Sequence, residues 1–187
     1  MKRRRSGIQA ALLALCLAAV VPSAGTWAQS ASEQLLVAAE SSDHDGVERA
    51  LIAGASINAR GQLNRTALMS AAARGDVDIV ALLLERGAFF DLVDRDGFSA
   101  LMHAARNGQD GTLMQLAAAG ADVDLQDRQG QTALILAARD GHLLAVRALL
   151  AAGARRDLTD FTGRDAFDHA RDSRQRRVLR ELEQAGR

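Results

Sequence analysis

The stretch DRQGQTALILAARDG, Asp127–Gly141, decides how the whole chain is read, because its landmarks return at one fixed interval. Ala67, Ala100, Ala133 and Ala166 lie 33 residues apart, as do Gly54, Gly87, Gly120 and Gly153. The same interval links Leu35, Leu68, Leu101, Leu134 and Phe167, and again Ala38, Ala71, Ala104, Ala137 and Ala170. Self-similarity at such a period means stacked units, none of which can bury its apolar face alone.

Each unit has a grammar that follows from its residues. Asp94, Asp127 and Asp160 each precede a glycine by three, at Gly97, Gly130 and Gly163, the pattern of a type I turn. Two residues after that glycine position stand Thr66, Ser99, Thr132 and Asp165, whose side chains can accept from an orphan amide at a helix start. A first helix rich in Ala and Leu begins there. Gly75, Gly108 and Gly141 then supply a residue able to sit left-handed beyond a helix end. A second helix follows, carrying Ile79, Val80, Leu82, Leu83 and Leu84 in one unit and Leu143, Val146, Leu149 and Leu150 in another, until Gly87 or Gly153 stops it.

Turn, short helix, glycine, longer helix, glycine: this order resembles the ankyrin repeat. The resemblance covers about Ser30 to the C-terminus, and Asp127–His142 follows the family pattern DxxGxTPLHxAAxxGH closely. Ala67, Ala100 and Ala133 stand where that pattern has Pro, and Met69, Met102 and Ile135 where it has His. Alanine keeps the helix intact at its first turn, whereas losing the His removes a capping hydrogen bond. The resemblance implies an all-α ankyrin-repeat solenoid of helix pairs joined by turns or short hairpins, with about five repeats including two caps. Their approximate limits are 29–60, 61–93, 94–126, 127–159 and 160–187. Within the first, Ser32, Glu33 and Gln34 can start a helix, and Glu40, Ser41, Ser42, Asp43 and Asp45 form a polar outer surface suited to the end of a stack. The fifth replaces the expected glycine with Arg174 and ends in a helix from about Gln175 to Ala185 around Val178, Leu179 and Leu182.

Residues 1–28 read as a secretory signal peptide. Lys2, Arg3, Arg4 and Arg5 give the basic start, Ile8–Val21 the apolar middle, and Thr26, Trp27 and Ala28 the cleavage region, with the cut placed after Ala28. The competing reading is a membrane anchor, for which the apolar run is short of the about 20 residues a span needs. Cleavage would remove the chain's only Lys, Cys, Pro and Trp, at Lys2, Cys16, Pro22 and Trp27. It would lower the basic total from 23 to 19 against 23 acidic residues, for a net charge of −4. A mature chain of residues 29–187 has no thiol and no basic excess, which argues against disulfide chemistry and against nucleic acid as partner. Arg-for-Lys usage and a high alanine content point to a bacterial source, and so to a periplasmic or secreted product.

The histidines, His44, His103, His142 and His169, give little chemistry. His103 and His169 hold the same place two units apart, on the order of 20 Å from each other in a helical stack, too far to share a metal. No nucleophilic Cys, phosphate loop, zinc spacing or hydrolase motif occurs, so neither an enzyme nor a cofactor or metal site is expected. What remains is surface. The resemblance implies a concave groove as contact site, which on this chain comprises Arg65, Arg74, Arg95, Phe98, Arg106, Arg128, Gln131, Arg139, Phe161 and Arg164, with Gln62, Asn107 and Asp140 beside them. Arginine and aromatic side chains are enriched at binding hot spots. The alternative is that these are ordinary solvated side chains near acidic neighbours such as Asp94, Asp96 and Asp127, since surface ion pairs are common and weak.

The expected role is an exported, monomeric, non-enzymatic module that docks a protein with an acidic surface. Resemblance to small exported bacterial ankyrin proteins implies assistance or protection of another periplasmic protein. The alternatives are a secreted effector acting on host proteins, and a hydrolase or metal protein. Two places read as weak. Gly111 lies near the start of a second helix, and Arg155 and Arg156 stand at the last junction, so that the fifth unit is expected to fray first.

Overall fold

The computed structural model describes residues 24–184, with side chains from Gln29 onward. The proposed cleavage region and the basic and apolar parts of the leader lie outside the described side chains. Five helix pairs follow one another: α1 (Ala24–Ser41) with α2 (His44–Ile52), α3 (Ala67–Arg74) with α4 (Val77–Glu85), and α5 (Ala100–Arg106) with α6 (Asp110–Ala118). Then come α7 (Ala133–Asp140) with α8 (Leu143–Ala151), and α9 (Ala166–Asp172) with α10 (Arg176–Gln184). The odd-numbered helices pack in one layer, each touching the next odd one, and the even-numbered helices form a second layer behind them. This is the solenoid that the 33-residue interval implies.

Helices α3, α5, α7 and α9 start where the sequence places them. Thr66, Ser99, Thr132 and Asp165 are N-caps, and each side chain accepts from the amide three residues on, at Met69, Met102, Ile135 and Asp168. In α3 the sulfur of Met69 also accepts the Thr66 amide at 3.5 Å, so a thioether stands in for the missing His. Gly75, Gly108 and Gly141 all take positive φ, and Arg174 adopts the same left-handed conformation at φ 59°.

Two expectations are corrected. Helix α1 does not start near Ser32 but continues back to Ala24. The preceding Ala, Gln and Ser residues offer no stop signal, and Ala31 is buried, so the added turn gains packing. The junction at Arg155 is not looser in its bonding. The Arg155 amide donates to Asp124 Oδ1 at 2.8 Å, as the amides of Phe89 and Asp122 donate to Asn58 and Asp91 one unit earlier each time. Arg156 adds a bond from its guanidinium to the Leu182 carbonyl. At Gly111, the neighbouring Thr112 is buried and donates to the Ala72 and Gln109 carbonyls, pinning the start of α6 to the preceding unit.

The core is one continuous body of side chains through all five pairs. In α3, α5 and α7 six consecutive residues are buried, Ala67–Ala72, Ala100–Ala105 and Ala133–Ala138. A helix enclosed on nearly all sides must touch neighbours closely, which small alanines permit. Phe167, at the same interval as the buried Leu68, Leu101 and Leu134, is partly buried against it.

Gly97 and Gly87 separate two costs of replacing a glycine. Both have positive φ, but a Cβ on Gly87 would meet nothing within 4 Å, whereas one on Gly97 would lie 2.8 Å from the Arg128 amide nitrogen. Gly87→Ala should therefore cost about 1 kcal/mol from backbone strain. Gly97→Ala should cost about 2–4 kcal/mol, because backbone of the next unit cannot yield cheaply. Urea unfolding of the two variants gives the comparison, and equal losses would mean that the turns do not abut as described.

Candidate functional site

The surface that could receive a partner is the row of turns joining one pair to the next, and its rigidity starts with the turn aspartates. Asp94, Asp127 and Asp160 each accept, through the backbone carbonyl, the amide of the glycine three residues on. Each Oδ1 also accepts amides from inside the hairpin, Asp96 and Phe98, Gln129 and Gln131, or Thr162 and Arg164. Each of these three hairpins is thus closed around one carboxylate oxygen.

The other oxygen anchors the hairpin to its helix. His103 Nε2 donates to Asp94 Oδ2 at 2.9 Å, and His169 Nε2 donates to Asp160 Oδ2 at 2.8 Å, since an ionised carboxylate can only accept. Burial pushes the Asp94 pKa up, but bonds from the Phe98 amide, His103 and the Asp96 amide outweigh it and hold the carboxyl below its ordinary value. Asp160 is held low in the same way, with Thr162, the Arg164 amide and His169 outweighing burial. Burial also pushes His103 down, and its bond to Asp94 does not compensate, with Arg65 and Arg106 nearby opposing a further charge. These histidines, whose pairing with an aspartate nine residues earlier was not foreseen from the sequence, fasten turns to helices.

Asp127 lacks this anchor. Leu136 and Phe98 hold the places that His103 and Arg65 hold for Asp94, and the buried Asp127 Oδ2 has no hydrogen-bond partner among the described residues. An unmatched buried acceptor of this kind costs about 1–3 kcal/mol.

Backbone bonds also run from each hairpin tip to the next. The Arg95 amide donates to the Leu63 carbonyl at 2.8 Å, the Arg128 amide to Asp96 at 3.3 Å, and the Phe161 amide to Gln129 at 2.9 Å. His142, which follows Gly141 as in the family pattern, bonds through Nε2 to the Arg106 carbonyl of the unit before it. The tips therefore form one tied strip rather than independent loops.

The ten residues expected in the groove divide sharply on this framework. Phe98 is corrected: it is 7% exposed, so it is not a contact aromatic. Its ring lies 5.4 Å from that of His103, and the Arg106 guanidinium covers it at 5.5 Å. Arg65 reaches Asp94 at 3.5 Å, and Arg74 bonds Ser42 and pairs with Asp76. Arg139 bonds both Gln131 and Asp140, and Arg164 pairs with Asp172 at 3.3 Å. Arg95, Arg128 and Phe161 are different. They occupy one place in three successive units, all are exposed, and the two guanidiniums have no partner among the described residues. Phe161 is 75% exposed.

Among the described residues no group of three His, Cys, Asp or Glu side chains is placed to hold a metal ion, and no helix is long and apolar enough to cross a membrane. The His103 pair has a consequence for pH. The folded core holds His103 below its ordinary pKa of 6.5, so the unfolded chain takes up that proton first as pH falls. Stability from this site is present above that value and is lost progressively below it. Between about pH 7.5 and about pH 5 the melting temperature should fall, and His103→Gln, which can still donate but cannot titrate, should fall less. Equal slopes in a pair of thermal melts would remove His103 as the responsible group.

Comparison with known families agrees with this architecture. The family model described as "Ankyrin repeats (3 copies)" matches residues 35–127 and 110–186, which together take in most of the chain. No curated protein matches it. Ankyrin repeats are in general protein–protein interaction modules and typically lack catalytic activity of their own. The chain, with its five helix pairs and tied row of turns, belongs to the ankyrin-repeat family.

Proposed function

We propose that this protein is an exported binding module that docks one partner protein along its hairpin tips and adjoining groove, without catalysing a reaction or carrying a cofactor. The observation that supports the docking face is the row Arg95, Arg128 and Phe161, exposed on a backbone already tied from tip to tip. A rigid surface loses little conformational entropy on binding, so its side chains can act as preformed contacts. The other predicted groove arginines are engaged within the molecule and serve mainly to shape that surface.

Export rests on the form of residues 1–28, and a periplasmic location on that leader together with the composition. Within that compartment the role proposed is to hold or protect another protein. The bonding of His103 and His169 to turn carboxylates, which engages both rings in holding the turns, supports the non-enzymatic reading.

The test uses the exported chain as bait in periplasmic extract, alongside Arg95→Glu/Arg128→Glu. Retained partners should be lost or depleted about tenfold in the double variant, because reversing two contact charges turns attraction into repulsion. Circular dichroism of both proteins should coincide. Unchanged capture by the double variant would overturn the docking face, and an N-terminus found upstream of Gln29 on the exported protein would overturn the processing site.

A further inference from the structure

The free residues on the tips carry information about the partner's shape as well as its charge. Arg95, Arg128 and Phe161 stand one unit apart, and helices pack at about 8–10 Å from axis to axis. An extended chain in the polyproline II conformation rises about 3.1 Å per residue with about three residues per turn, so every third side chain lies on one face at about the spacing of one unit. Two guanidiniums and one ring, so spaced, match an extended segment with a carboxylate, a second carboxylate three residues on, and an apolar side chain after three more. Resting on the docking reading above, we infer that the partner is recognised through such an acidic extended segment, with Arg95 and Arg128 each taking one carboxylate and Phe161 covering the apolar residue.

Three observations favour this occupant. Neither guanidinium is engaged within the described residues, unlike the other candidate groove arginines. The places of the row are fixed. The amides of Arg95, Arg128 and Phe161 are all bonded to the preceding tip, and both Gly97 and Gly130 lie so close beneath the next tip that a Cβ would collide with Arg128 or Phe161. The row is also directional, since it runs from charge to a 75% exposed aromatic, which gives the segment one preferred orientation. Asp96 lies exposed beside Arg95, so a uniformly negative ligand gains less than one whose charges are spaced to the row. That distinction separates a spaced peptide from a nucleic acid or another polyanion.

Fluorescence anisotropy of labelled peptides tests the inference on the exported chain. One peptide carries Glu-Xaa-Xaa-Glu-Xaa-Xaa-Leu with small polar residues at Xaa, a second holds the same residues with both Glu adjacent, and a third has Lys in place of Glu. The first should bind at least about tenfold tighter than the other two, and weaken as salt is raised. Arg95→Glu/Arg128→Glu should abolish this preference. Phe161→Ala should weaken the Leu peptide but not a version with Ser in its place, while Asp96→Asn should not weaken binding. Equal affinity for the spaced and adjacent peptides, insensitivity to the double variant, absence of binding, or equal binding of a single-stranded oligonucleotide would each overturn the inference. If the double variant nonetheless loses its captured partners, the docking face stands and only the acidic-segment recognition falls. If capture is also unaffected, both fall.

Discussion

The structure depends on the burial of the first helices between their neighbours. Ala100–Ala105 is enclosed from α3 on one side, α7 on the other and α6 behind, so that no face is left for water. A seven-residue helix has little stability of its own, because nucleation costs more than so few hydrogen bonds return. Its stability comes from contact with the units on either side, and each unit in turn supports the next. Alanine suits this role twice over, as the best helix former and as a side chain small enough to let neighbouring backbones approach.

Function follows from what this packing leaves outside. Once the core and the ties between units are satisfied, the hairpin tips are the part of each unit free to vary without disturbing the stack. Their backbone is held by the turn carboxylate within a unit and by amide bonds between units, so sequence changes at positions such as Arg95, Arg128 and Phe161 alter chemistry but not shape. The Asp127 site marks a place where this support is incomplete. Leu136 and Phe98 enrich the core at the expense of the polar anchor used on both sides of it.

Much of this could be read from spacing. The interval of 33, the capping residues and the glycines that end helices are local signals, and each led to the element found. Contacts between a turn and a helix were harder. The link from Asp94 to His103 was visible as a recurring pair, repeated at Asp160 and His169 and missing at Asp127, but its meaning requires knowing that the turn folds back over the helix. Phe98 was misjudged for the same reason: the position between turn glycine and N-cap varies in sequence, yet its side chain lies beneath Arg106 against His103. The start of α1 was missed because serine can either cap a helix or continue one, and nothing upstream of Ser32 forces a stop.

Residue-resolved amide hydrogen exchange tests the dependence of each unit on its neighbours most directly. The amides of α5 and α7, enclosed on two sides, should exchange slowest and at similar rates, and those of α9 and α10, supported on one side only, should open first despite the bonds at Arg155 and Arg156. Protection in Ala166–Gln184 equal to that in Ala100–Ala105, or α5 opening before the ends, would contradict it.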